Sequence, residues 1–202
     1  MVISQTPLRM SFAGGGSDLP AFYRKFGGAV VSTTVAKYVY VAVNEKFDHR
    51  IRLSYSKTEE VETADQLEHK LVRAVLQKMD IAGVEITSIA DIPSRGTGMG
   101  SSSSFTIGLL HALHAYQHQY VSAADLAAES CTVEIDLCGE RIGKQDQYAA
   151  AFGGLNFIRF EPDERVIVEP ILCSGSELER LESQLITFYT GNTRAASSIL
   201  AE

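Results

Sequence analysis

The chain has 202 residues and a formal net charge of −7, which excludes nucleic acid as a bulk partner, because neutralising a phosphate polymer requires a basic surface. Hydrophobic residues make up 45%, enough for a real core, and the length suits one large domain or one domain and part of another. Cys131, Cys138 and Cys173 form no C-x-x-C pair, so a disulfide framework or zinc ribbon is not expected and a reducing cytoplasm fits; a signal peptide and a membrane-spanning stretch are likewise not expected.

In chain order, residues 2–12 read as a strand, with Pro7 marking an edge or an irregular step. "AGGGSD" (13–18) is a loop, and "PAFYRKF" (20–26) is a short helix with proline in its first turn. Residues 29–47 are rich in β-branched and aromatic types and form two strands or one long bent one. A strand follows at 50–55. The acidic run Glu59, Glu60, Glu62 and Asp65 reads as a loop and helix start, where negative charge suits the dipole. Residues 64–79 place Leu67, Leu71, Val75 and Met79 on one helical face. After a strand at 83–90 come a glycine–serine turn, a helix over about 101–119, and another over about 122–137. A short helix within 143–154 precedes strands near 155–160 and 165–169. "LITFYTGNTRAASSIL" reads as a strand, a turn and the opening of a helix. These elements predict an α+β domain over about 1–170, with a mixed sheet and helices on one side.

"RGTGMGSSSSFTIGLLHAL" (95–113) concentrates three glycines and four serines at one helix start. One glycine and one serine would serve a plain capped turn. The surplus, together with the free N–H groups and partial positive charge of a helix N-terminus, points to a bound phosphate. No lysine follows the last glycine, as an ordinary P-loop requires. Ser101 occupies the place of the third glycine of a dinucleotide fingerprint. A nucleotide phosphate there implies magnesium, which takes hard oxygen ligands. Ser102 offers a hydroxyl. Of the carboxylates on the helix over 122–137, Asp125, Glu129 and Asp136 suit a solvated face, whereas Glu134 stands between Val133 and Ile135. In "GKQDQYAAAFGG", Asp146 is either a loop ion-pair partner of Lys144 or a base orienting a hydroxyl for attack on phosphorus. In "PLRMSFAGGGSDLP", Arg9 could meet phosphate charge and Asp18 could bind sugar hydroxyls beside open glycine backbone. His111, His114 and His118 lie opposite Phe105, Leu109, Leu113 and Tyr116, and read as a solvated polar face rather than a zinc site.

Three of these stretches in this order, "PLRMSFAGGGSD", "PSRGTGMGSSSS" and Glu134 followed by "GKQDQ", resemble the GHMP kinases. Met99 replaces the common leucine of the family's phosphate loop, a volume-conserving change. The resemblance implies an N-terminal domain of the ribosomal protein S5 domain 2-like fold over 1–170. It also implies that 171–202 are the incomplete start of a ferredoxin-like C-terminal domain, since the family's third glycine-rich motif is missing after Phe160. By the same resemblance, Pro93, Gly96, Gly98, Gly100, Ser101, Ser102 and Ser103 would wrap ATP phosphates, and Ser102 and Glu134 would hold Mg²⁺. Asp146 would be the catalytic carboxylate, with Arg9 stabilising transferred charge. Gly15, Gly16, Ser17 and Asp18 would form the substrate loop. The GGGSD version of that loop is similar to the branch of heptose 7-phosphate kinases and fucokinases, which implies a sugar substrate phosphorylated at its anomeric hydroxyl. The expected partners are therefore ATP and a small sugar, with no nucleic acid and no membrane. A non-catalytic sugar- or nucleotide-binding module on the same fold is the alternative.

Overall fold

A computed structural model describes residues 1–92 and 98–188. Its frame is the 18-residue strand β2 (Gly28–Glu45). Strand β1 (Val2–Ala13) runs antiparallel along one edge of β2. The other edge is shared: β6 (Leu155–Phe160) pairs with residues 28–33 and β5 (Val84–Ala90) with residues 39–45. Beyond β5 lie β3 (Ile51–Ser54), parallel to it, and then β4 (Thr58–Val61); beyond β6 lies β7 (Val166–Pro170). Residues 29–47 are therefore one strand rather than two. The irregular step expected at Pro7 is present: Pro7 pairs with Tyr38 but Leu8 pairs with Val35, leaving two residues of β2 bulged out where proline offers no N–H to the ladder.

Period-two alternation assigns the two faces. Ser4, Thr6, Leu8, Val39, Val41 and Val43 are buried, while Ile3 and Ile89 are 59% and 64% exposed. The helices cover the first face. α3 (Ser101–Tyr116) lies on β1 and β2 and is apolar nearly all round, burying Ile107, Leu109, Leu110, Ala112 and Leu113. Its close approach depends on Gly108, where a Cβ would stand 2.8 Å from Thr6 Oγ1; Ser4 Oγ instead donates to the Gly108 carbonyl at 2.7 Å. α2 (Lys70–Met79), α4 (Ala123–Cys131) and α5 (Gln145–Phe152) pack around it, and α1 (Pro20–Phe26) sets Tyr23 against Phe160.

Four expectations change. The acidic run contains strand β4, and Glu59 turns inward to accept from Tyr55 Oη at 2.7 Å and from the Glu68 amide at 2.6 Å. That amide contact interrupts the helix expected over 64–79, which becomes a 3₁₀ turn (Ala64–Gln66) and α2. The expected stripe does face the core, with Leu67 and Val75 fully buried and Leu71 and Met79 packed against it, and Val72 and Leu76 are buried beside it. The helix expected over 122–137 starts at a Ser122 cap but passes into a π-helical turn at Thr132–Leu137. Residues 171–188 add α6 (Gly175–Ser183), opened by a Ser174–Glu177 capping box, and Leu185–Phe188 form no strand; the remainder of the "LITFY" segment lies outside the described residues.

Candidate active site

The N-terminus of α3 is built for close approach. Gly100 is its N-cap at φ +71°, and Gly98 lies at φ +69°. A Cβ on Gly100 would stand 3.2 Å from both Arg9 Cγ and Asp146 Oδ2, so a side chain there would be strained by the backbone conformation and would crowd both residues. Gly100, as N-cap, brings no capping side chain of its own, and a helix N-terminus turns backbone N–H groups and partial positive charge toward an anion. Pro93 and Gly96 lie outside the described residues.

Arg9 of β1 joins this turn to α5. Its amide donates to the Met99 carbonyl at 3.1 Å and its Nη1 to the Gly98 carbonyl at 2.9 Å. Its Nε donates to Asp146 Oδ1 at 2.8 Å, and Nη2 lies 2.7 Å from the same oxygen. The guanidinium thus holds one carboxylate oxygen of Asp146 and leaves Oδ2 facing the glycine turn. Asp146 pairs with Arg9, whereas Lys144, its expected ion-pair partner in a loop, is engaged by Glu164.

The GGGSD loop meets the same segment from the other side. Asp18 is 2% exposed and accepts from the amides of Gly16 at 3.1 Å and Gln145 at 3.0 Å. Burial raises its pKa, the Gln145 amide opposes this, and the Asp146 charge adds to the rise. Gly143 admits this contact, since a Cβ there would fall 1.9 Å from Asp18 Oδ2. Ser17 folds the loop on itself, donating to the Gly14 carbonyl at 2.7 Å and accepting from the Ala29 amide at 3.0 Å. Of the four residues expected to meet substrate, Gly15 and Gly16 present open backbone, while Ser17 and Asp18 are engaged within the protein.

Glu134 sits in the π-helical turn, fully buried. Its Oε2 accepts from Ser103 Oγ at 2.7 Å and Gln147 Nε2 at 2.5 Å, while Oε1 has no partner among the described residues. Burial raises its pKa from 4.5 to about 7 and the Asp146 charge adds to the rise; the Thr106 hydroxyl, which is near but donates to the Ser102 carbonyl at 3.1 Å, opposes it together with the bonds from Ser103 and Gln147. A buried carboxylate with a free oxygen calls for a proton or a cation, so this donor set fits Mg²⁺. Ser103 is the serine hydrogen-bonded to Glu134, whereas Ser102 is exposed and Ser101 half-buried at the helix end. Gln147, also fully buried, escaped the sequence reading. Its signal was only its place beside Asp146. π-helical turns recur at functional sites, and this one carries Glu134. His114, part of the presumed polar face, bonds through Nε2 to Glu129 Oε2 at 2.7 Å.

The family model for the N-terminal domain of GHMP kinases matches residues 68–154, which contain α3, Glu134 and Asp146. Over those residues the chain is similar to the N-terminal domain of the GHMP kinases. A curated relative, the D-glycero-alpha-D-manno-heptose 7-phosphate kinase of Campylobacter jejuni, is 28% identical over 97% of this chain and 61% of its own length. The bifunctional fucokinase/GDP-fucose pyrophosphorylase of Arabidopsis thaliana is 24% identical over 97% of this chain and 21% of its own length. Among solved structures, a D-glycero-D-manno-heptose 1-phosphate kinase from Bacteroides thetaiotaomicron superposes with a TM-score of 0.85 at 30% identity, covering 91% of this chain and 64% of that one. The chain thus spans about three fifths of the heptose kinase relative. A mevalonate kinase at 18% identity and a TM-score of 0.68 shares the fold.

Proposed function

We propose that the chain supplies the nucleotide- and sugar-binding part of an ATP-dependent sugar kinase that phosphorylates an anomeric hydroxyl. The favoured substrate is D-glycero-D-manno-heptose 7-phosphate, giving the 1,7-bisphosphate. Fucose or a related sugar is the second reading, favoured by the fucokinase likeness. Residues 1–170 form the ATP-binding domain in this reading, and 171–202 open a second one. The observation that carries it is Asp146 held by Arg9 directly against the glycine-lined N-terminus of α3.

Phosphoryl transfer asks a protein for positioning and charge stabilisation. The backbone amides of α3 and the glycine turn receive phosphate oxygens. Arg9 fixes Asp146 through Oδ1, so Oδ2 orients the sugar hydroxyl and takes its proton as the new bond to the γ-phosphorus of ATP forms and the bond from that phosphorus to the leaving ADP oxygen breaks. Arg9, already bonded to the Gly98 carbonyl, stands where charge builds on the transferred group. Gly15 and Gly16 leave open backbone for the sugar. Mg²⁺, when bound, would be held by Glu134 with the hydroxyl of Ser102 or Ser103 and would neutralise phosphate charge.

The test is ADP release by the full-length protein with Mg²⁺-ATP and a panel of heptose phosphates, fucose and hexoses. In Asp146→Asn, kcat falls by roughly a hundredfold or more while the sugar KM changes little. Absence of turnover on every sugar, or a variant at the wild-type rate, would refute the assignment.

A further inference from the structure

The turn joining β6 to β7 carries a charged residue where glycine is favoured. Glu161–Pro162–Asp163–Glu164 form a turn closed by the Glu164 amide on the Glu161 carbonyl at 3.1 Å, and Glu164 adopts φ +73°. A left-handed residue after such a turn is ordinarily glycine, and a non-glycine residue there is strained.

Its carboxylate collects three donors from two other elements. Lys144 Nζ donates to Oε2 at 2.5 Å, Tyr23 Oη to Oε2 at 2.6 Å, and Arg24 Nε to Oε1 at 2.6 Å. Lys144 Nζ also lies 5.0 Å from the centroid of the Tyr23 ring and is largely shielded, at 16% side-chain exposure. Burial alone would raise the pKa of Glu164, but Lys144, Tyr23 and Arg24 bring it down to about 2. The carboxylate is therefore ionised throughout the neutral range.

Lys144 is the N-cap residue of α5, and its side chain does not cap the helix. Asp146 is two residues on. The intervening Gln145 is tied to Asp18 by its amide and to Ser11 by its side chain, Ser11 Oγ donating to Gln145 Oε1 at 2.8 Å. The first turn of α5 is thus pinned on one side by Asp18 and on the other by Glu164, and Asp146 projects from between the two pins.

We propose that Glu164 is a positioning residue for Asp146, acting through Lys144 as a clasp between the β6–β7 turn and the first turn of α5. The clasp does not touch the reacting atoms. Its role in turnover rests on the kinase reading above, whereas its role in ordering residues 143–148 stands on the contacts alone. Asp146 already has its partner in Arg9, so loss of the clasp leaves the ion pair intact but lets the backbone beneath it shift, and small misplacements of a reacting group carry large rate penalties.

Glu164→Gly is the discriminating variant, because glycine removes the clasp and relieves the strained φ, so the protein still folds. Glu164→Gln keeps an acceptor oxygen but removes the charge. In the full-length protein, kcat falls roughly tenfold or more in Glu164→Gly and less in Glu164→Gln, while the KM for sugar stays within about twofold. Independently of any substrate, amide hydrogen exchange over residues 144–148 quickens about tenfold in Glu164→Gly relative to the rest of the chain. A wild type that turns over no sugar, with exchange quickened in the variant, refutes the kinase reading and leaves the clasp standing. Unchanged exchange and unchanged kcat in Glu164→Gly, whatever its melting temperature, overturn the clasp.

Discussion

Glu134→Gln tests the most highly strained electrostatic feature of the site. Glu134 is fully buried, one oxygen has no partner among the described residues, and its pKa rises from 4.5 to about 7, mainly through burial. A rise of that size is worth about 3 kcal/mol of linkage between protonation and folding. The folded-state pKa lies above the unfolded one, so the contribution is fully present below about pH 4.5 and is lost as pH rises through about 7. In metal-free buffer, wild-type stability should therefore fall by about 3 kcal/mol across this window because of this residue alone. Glutamine cannot ionise, and the variant should lack that component of the slope. Asp18, whose pKa is also raised by burial, remains in both proteins and cancels in the difference. The assay is urea unfolding of both proteins from pH 4.5 to 8.5 with EDTA, repeated at pH 8 with Mg²⁺. The difference curve should move in favour of the variant as pH rises, and Mg²⁺ should stabilise the wild type more than the variant. Parallel pH curves would show that Glu134 is not a strained buried carboxyl. Equal Mg²⁺ responses would remove it as a cation ligand.

Gly143→Ala would place a Cβ 1.9 Å from Asp18 Oδ2 and 2.9 Å from its carbonyl oxygen, so the two loops must part. Thermal or urea unfolding should record a loss of about 1–3 kcal/mol, and sugar turnover by the full-length protein should fall with it. Leu110→Ala empties a fully buried position in the middle of α3, between sheet and outer helices. It should cost about 2–5 kcal/mol in urea unfolding, read as a shifted midpoint at constant slope.

The elements that could be read from sequence are those whose cause is local. Pro20 at the start of α1, Ser122 capping α4 through the Asp125 amide at 3.1 Å, and the alternation of Val39, Val41 and Val43 each announce themselves within a few residues. Glycines 98 and 100 likewise pointed to an anion-ready helix end, because left-handed backbone is written in residue type. Features with distant causes were not legible. The serine that faces Glu134 is decided by the rotation of α3. One residue turns a helix by about 100°, so the choice between Ser102 and Ser103 depends on how Gly108 seats the helix against Thr6. The inward turn of Glu59 depends on an amide nine residues away, at Glu68. The acidic run therefore looked like solvent-facing charge. The π-helical turn shifts the side chains after Cys131 relative to an uninterrupted α-helix, and nothing in "TVEIDL" marks it. Glu134 could be singled out by its apolar neighbours, but its bonds to Ser103 and Gln147 arise only where that turn packs between α3 and α5. The same reasoning applies to Asp146. Its type and setting suggested a base or an ion pair, and the structure places it in an ion pair with an arginine 137 residues earlier, its other oxygen toward the glycine turn. An ion pair through Oδ1 and a proton acceptor at Oδ2 are compatible in one carboxylate, because Arg9 occupies only one of its oxygens.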